Sequence, residues 1–114
     1  MIGKSFKSKT IYLVDFGLAK RYKDAKTGKH HSYRDGRSLT GTIRYASVNS
    51  HMGIEISRRD DIESFCYTLI YLIKGTLPWM GIDSEKKRDK IDRITEMKLK
   101  TPTSMLCDGC PCKF

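Results

Sequence analysis

Asp15, Phe16 and Gly17 follow directly on a short run of β-branched and aromatic residues, Thr10-Ile11-Tyr12-Leu13-Val14. A carboxylate at the tip of such a run suits a hard cation such as Mg²⁺, which takes oxygen ligands. The plainer reading of three residues is a turn at the end of a strand. Near the other end of the chain, Cys107, Cys110 and Cys112 form C-x-x-C-x-C. Thiolates suit zinc, but a tetrahedral site takes four ligands and His30, His31 and His51 are remote in sequence, so unpaired reduced thiols are the simpler expectation. The third chemical signal is charge. The sequence has 22 basic and 13 acidic residues, a formal net charge of +9. That balance favours anionic partners: nucleic acid, acidic lipid, or phosphorylated and acidic protein segments. Only Lys86-Lys87-Arg88 speaks for nucleic acid, and no helix-turn-helix, zinc-finger or RNP-like pattern accompanies it.

Few elements are on hand to position these groups. The 114 residues are enough for one small domain. The pattern predicts a strand over residues 10–14, then an irregular stretch to about residue 49 rich in Lys, Gly, Ser, Thr and His. So long an irregular stretch is usually functional. A helix is predicted over residues 58–74. Ser57 and Asp60 have the spacing of a capping box, Lys74 suits the negative end, Gly75 is a natural stop, and Pro78 prevents resumption. Ile62, Phe65, Cys66, Leu69, Ile70, Leu72 and Ile73 make this helix apolar nearly all round, which places it in the middle of a core, with Cys66 as a small core residue. A second helix is predicted over residues 84–99, with a narrow stripe at Ile91 and Ile94 and a stop at Pro102. A single strand without a partner is not stable, so the fold reads as incomplete on its N-terminal side and the chain as unstable alone. The longest apolar run, residues 67–73, is too short to span a bilayer. Lysine rather than an apolar region follows Met1-Ile2-Gly3, so a reducing compartment, cytoplasmic or nuclear, is expected.

The order of the motifs carries a resemblance. Asp15-Phe16-Gly17-Leu18-Ala19-Lys20 is followed by Leu39-Thr40-Gly41-Thr42-Ile43-Arg44-Tyr45-Ala46-Ser47, then by Ser57-Arg58-Arg59-Asp60-Asp61-Ile62-Glu63-Ser64, then by Leu77-Pro78-Trp79. In that order they resemble the magnesium loop, the end of the activation segment, the start of the central F helix and its exit loop in the casein kinase 1 family of serine/threonine protein kinases. Ser47-Val48-Asn49 stands where most kinases carry Ala-Pro-Glu, and this family is known for a Ser-Ile-Asn variant. The likeness runs from about residue 10 to the end. It implies an α+β protein-kinase-like fold, of which this chain is a mainly α-helical C-lobe fragment with a short strand before Asp-Phe-Gly. Residues 10–49 would be magnesium loop and activation segment, 58–74 the F helix and 84–99 the G helix.

The resemblance also implies roles. Asp15 would hold Mg²⁺ against the phosphates of ATP. Thr42 would sit in the substrate-side loop near the catalytic aspartate, and Asp61 would anchor the catalytic loop from the F helix. Arg44 and Lys90 match one anion-binding pair of the family, Lys20 and Arg37 a second. The implied activity is transfer of the ATP γ-phosphoryl group to Ser or Thr of acidic or already phosphorylated proteins, and convergent cations suit such partners. The chain departs from the family at Cys66, where a glycine is usual, and around Lys29-His30-His31-Ser32-Tyr33-Arg34, where His30 and His31 read as exposed loop residues. It contains no G-x-G-x-x-G and no His-Arg-Asp. Phosphoryl transfer depends on those parts, so the chain as given is expected to be inactive and to bind ATP weakly or not at all. The alternative is a non-catalytic, phosphoprotein-binding pseudokinase fragment.

Overall fold

A computed structural model describes residues 1–111. The chain divides into two compact units, residues 1–31 and 32 onward.

The first unit is built from turns. A 3-10 turn, Ser5–Lys7, sits inside a loop closed by a single antiparallel bridge between Ile2 and Ile11. Tyr12 N donates to Met1 O at 2.8 Å and the terminal amine returns a bond to Tyr12 O at 2.8 Å. A second bridge joins Lys23 to His30 around Asp24, whose Oδ1 accepts from the backbone N–H groups of Lys26 (2.9 Å) and Thr27 (2.7 Å). The strand predicted over residues 10–14 therefore does not form: only Ile11 pairs, and Ile11 and Leu13 are 79% and 80% exposed. A strand needs a ladder and a face to bury, and this segment has neither in its own unit.

The second unit holds four helices among the described residues: α1 (Val48–His51), α2 (Arg58–Lys74), α3 (Lys87–Lys100) and α4 (Thr103–Leu106). Helix α2 begins and ends where its capping chemistry dictates. Asp60 Oδ2 accepts from Ser57 N at 2.7 Å in the capping box. Gly75 takes φ 74°, a left-handed conformation that costs glycine little, and its N–H closes the last turn on Tyr71 O at 2.8 Å. Helix α3 starts three residues later than predicted, because Lys86 is extended. The single turn α1, inside the stretch expected to be irregular, is capped by Ser47, whose hydroxyl accepts from Ser50 N at 3.1 Å.

The core gathers Tyr67 and Ile70 from α2, Leu77 and Trp79 from the loop after it, Ile94 from α3 and Leu106 from α4. Tyr67 and Trp79 meet edge to face, with ring centroids 4.8 Å apart. This core covers one side of α2. Ile62, Phe65, Leu72 and Ile73 remain 63%, 55%, 72% and 45% exposed, so the helix lies at the edge of its unit and not in the middle of a core. Contiguous apolar surface of this kind binds hydrophobic probes. The wild-type chain is expected to enhance the fluorescence of the dye ANS at neutral pH. Phe65→Lys with Leu72→Lys should remove most of the enhancement at little cost in stability. A wild type that leaves the dye dark would contradict the exposed stripe.

Among the described residues no helix is long and apolar enough to cross a membrane.

Candidate functional site

The expected site residues fall into both units. In the first, Asp15 has φ 65°, a left-handed conformation that aspartate tolerates better than most residues, and its Oδ1 accepts from Gly17 N at 3.2 Å. The side chain is exposed, and among the described residues no group of three His, Cys, Asp or Glu side chains could hold a metal ion. Mg²⁺ asks for six oxygen ligands in near-octahedral order. One solvated carboxylate does not supply them, so the residues on hand do not by themselves fit Mg²⁺ or ATP. Lys20 lies in the same unit. His30 and His31 are exposed, with His30 Nδ1 2.8 Å from His31 O. Of the three clustered cysteines, Cys107 and Cys110 are free thiols packed partly against the core, and Cys112 lies outside the described residues.

The second unit brings Arg44 and Lys90 together. Both line an open groove of ≈ 730 Å³, along with Thr42, Trp79, Gly81 and Asp83. Arg44 is exposed. Its guanidinium lies over Tyr45 and Tyr71, 5.7 and 5.3 Å from the ring centroids, and among the described residues no carboxylate pairs with it. Stacking on two aromatic faces and a long bond from one Nη to the Tyr45 hydroxyl at 3.5 Å orient the guanidinium, which remains exposed. Lys90 reaches the groove from the first turn of α3, and its Nζ is 3.5 Å from Asp83 Oδ1, a carboxylate that is 93% exposed. So exposed an ion pair is weak and exchanges readily for a more highly charged anion. Thr42 belongs to the same loop: its carbonyl accepts from Tyr45 N and Ala46 N, both at 3.0 Å. Arg37 stands elsewhere, its Nε 2.6 Å from Glu55 Oε2.

Two acids of α2 hold the turn behind this loop. Asp60 is 2% exposed, and its Oδ1 accepts from Ser47 Oγ and Asn49 Nδ2, both at 2.9 Å. Glu63 Oε1 accepts from Val48 N at 2.9 Å and from the Tyr67 hydroxyl at 2.8 Å. Burial, and then the bond to Glu63, push the Tyr67 phenol well above its usual range. Ser47-Val48-Asn49 is thus gripped at all three residues. Burial alone would raise the carboxyl of Asp60, but the bonds from Ser57 N, Asn49 and Ser47 outweigh it and hold the group below the usual carboxylate range. Asp61, expected to anchor a catalytic loop from this helix, is exposed. The chain then turns back at Gly53, where φ is 71° and a Cβ would stand 2.8 Å from Arg37 O. Only glycine fits there.

Sequence reasoning passed over Asp60 as more than a cap, and over Glu63, His51 and Lys98. Lys98 is 5% exposed although it is a lysine on a polar helix. A signal for it existed: Lys98 continues the Ile91 and Ile94 stripe at helical spacing.

No known protein-family model matches the chain.

Proposed function

We propose that the chain is a C-lobe segment of a casein kinase 1-type serine/threonine protein kinase, and that its groove takes the phosphorylated or acidic part of a protein substrate. The observation that carries this reading is the pair Arg44 and Lys90 on one open groove, one cation stacked on aromatic rings and the other held only by an exposed carboxylate. A phosphoserine brings close to two negative charges and three acceptor oxygens, which an oriented guanidinium grips bidentately and an ammonium completes. Motif order supports the family, and the helices at Arg58–Lys74 and Lys87–Lys100 fall where that family would have its F and G helices. In the complete enzyme, ATP and Mg²⁺ would be the cofactors, with Asp15 as a metal ligand. The chain itself carries the recognition half of that function, which leaves a non-catalytic phosphoprotein-binding role as the second reading.

Two assays test the groove as a recognition site. Incubation with Mg-ATP and a pre-phosphorylated peptide is expected to give no transfer, and robust transfer would overturn the assignment of a recognition segment. Titration with the phosphopeptide is expected to show binding that weakens with salt. Asp83→Asn should tighten that binding several-fold by releasing Lys90. Equal binding of the phosphorylated and unphosphorylated peptides would sink the groove as an anion site.

A further inference from the structure

The groove accounts for Arg44 and Lys90 but not for a buried lysine whose contacts are the backbone carbonyls on either side of Arg44. Lys98 Nζ lies 2.5 Å from Ala46 O, 3.1 Å from Ile43 O and 3.1 Å from His51 Nε2, and 5.0 Å from the ring centroids of both Tyr67 and Trp79. His51 Nε2 also lies 3.1 Å from Ile43 O, so the ring and the ammonium converge on the same carbonyl. Two of the three ammonium N–H groups have the carbonyls of Ile43 and Ala46 as acceptors, and the third meets the Nε2 lone pair in the His51 tautomer that carries its proton on Nδ1. The other ring nitrogen, Nδ1–H, then donates to Thr95 Oγ1 at 3.0 Å, and the threonine hydroxyl donates to Ile91 O at 2.7 Å. Burial, reinforced by the charge of Lys98, lowers the pKa of His51, which favours this neutral form. Trp79 Nε1 adds a bond to Arg44 O at 2.8 Å. The carbonyls of Ile43, Arg44 and Ala46, on either side of the groove arginine and at it, are thus all held from the interior.

We propose that Lys98 is a positioning residue for the anion groove: from inside the core it fixes the backbone on both sides of Arg44 and so sets where the guanidinium stands. This rests on the reading of the groove as an anion site. A loop pinned at three carbonyls gives Arg44 a defined location without any cost of ordering when the anion arrives, which raises affinity by preorganisation. The positive charge beneath the groove adds to its attraction for anions. Lys98 faces His51 from α1, Glu63 and Tyr67 from α2, and Thr95 on its own helix, with the loop carrying Arg44 above. Burial brings its pKa down to about 8, the charge of Glu63 opposing. Above that pH the amine keeps two N–H groups and loses its charge, which weakens its hold on the two carbonyls and removes the positive charge behind the loop.

The test uses the full chain and inorganic sulfate, whose charge is constant across the range. Sulfate affinity of the wild type is expected to fall several-fold between pH 7 and 9, and Lys98→Met should bind about tenfold more weakly at pH 7 with no such step. Hydrogen exchange supplies the second readout. The amides of Tyr45 and Ala46, which bond to Thr42 O, should exchange at least about tenfold faster in Lys98→Met, while those in the middle of α2 keep their wild-type rates. Lys98→Gln, which retains two N–H donors, should lie between. Unchanged rates at Tyr45 and Ala46, equal sulfate binding by wild type and Lys98→Met, or a uniform acceleration of all amides in both variants would each overturn the proposal. A wild type that binds no sulfate overturns the groove reading itself, and the exchange rates still decide whether Lys98 pins the loop.

Discussion

Asp60→Ala is expected to lower the stability of the chain by about 3 kcal/mol or more, enough to leave a small domain largely unfolded. The carboxylate is buried and accepts from Ser47 Oγ, Asn49 Nδ2 and Ser57 N at 2.7–2.9 Å. Bonds to an ionised acceptor contribute more than neutral ones, and truncation leaves the donors unpaired in a site closed to water. The neighbouring Asp61→Ala should stay within about 0.5 kcal/mol of wild type, because Asp61 is exposed. Urea denaturation followed by circular dichroism measures both. The pH dependence has a definite sign. The folded pKa of Asp60 lies below its unfolded value, so its contribution is fully present above the unfolded carboxylate pKa and is lost as pH falls through the folded one. A wild-type midpoint that declines in acid, with no such decline attributable to residue 60 in Asp60→Ala, is the expected pattern. Equal effects of the two alanine substitutions would contradict the assignment of the interior carboxylate.

Trp79→Ala should cost about 3–5 kcal/mol, the range for removing a large buried aromatic. The ring is 2% exposed, meets Tyr67 edge to face, lies beneath the Lys98 ammonium and anchors Arg44 O through its indole N–H. Trp79→Phe isolates the last of these. It keeps most of the apolar contact and removes the donor, so about 1 kcal/mol is expected from loss of a part-buried hydrogen bond, together with weaker anion binding. Because the variants lose the single tryptophan, the melts are followed by far-ultraviolet circular dichroism. A Trp79→Phe chain with wild-type stability and wild-type anion binding would show that the indole N–H does not hold the loop.

The signals that sequence conveys well here are local. Ser57 and Asp60 begin α2, Lys74 and Gly75 end it, and Pro102 follows the end of α3, because capping and backbone stereochemistry act within a few residues. The signals it conveys poorly depend on what lies across from a residue. Residues 10–14 have strand composition, but composition supplies no partner, and only Ile11 pairs. Asp60 and Asp61 differ by about 100° around the helix, and adjacent acids do not announce which of them faces the core. The apolar residues on both sides of α2 implied complete burial, whereas the second unit covers only the side bearing Tyr67 and Ile70. Lys98 was hidden by residue type, since lysine is rarely buried unless paired, and its acceptors are backbone carbonyls 52 and 55 residues away. For the groove the sequence supplied the residue types. Arg44 and Lys90 were paired by resemblance, and the cavity they share, lined also by Trp79 and Ile94, emerges only from the packing of the loops against α3.

The role proposed for Arg44 and Lys90 is to receive a phosphorylated protein segment together. Backbone amide chemical shifts, recorded while an acidic peptide is added with its serine either phosphorylated or free, test it most directly. Phosphate-dependent shifts are expected to be confined to the groove, at Thr42, Ile43, Arg44, Gly81, Ile82 and Lys90. Arg44→Ala should weaken binding by about tenfold or more, since an oriented guanidinium supplies charge-assisted bonds. Lys90→Ala should weaken it less, since that ammonium already has Asp83 as a partner. Shifts that are the same with and without the phosphate, or that survive Arg44→Ala undiminished, would contradict it.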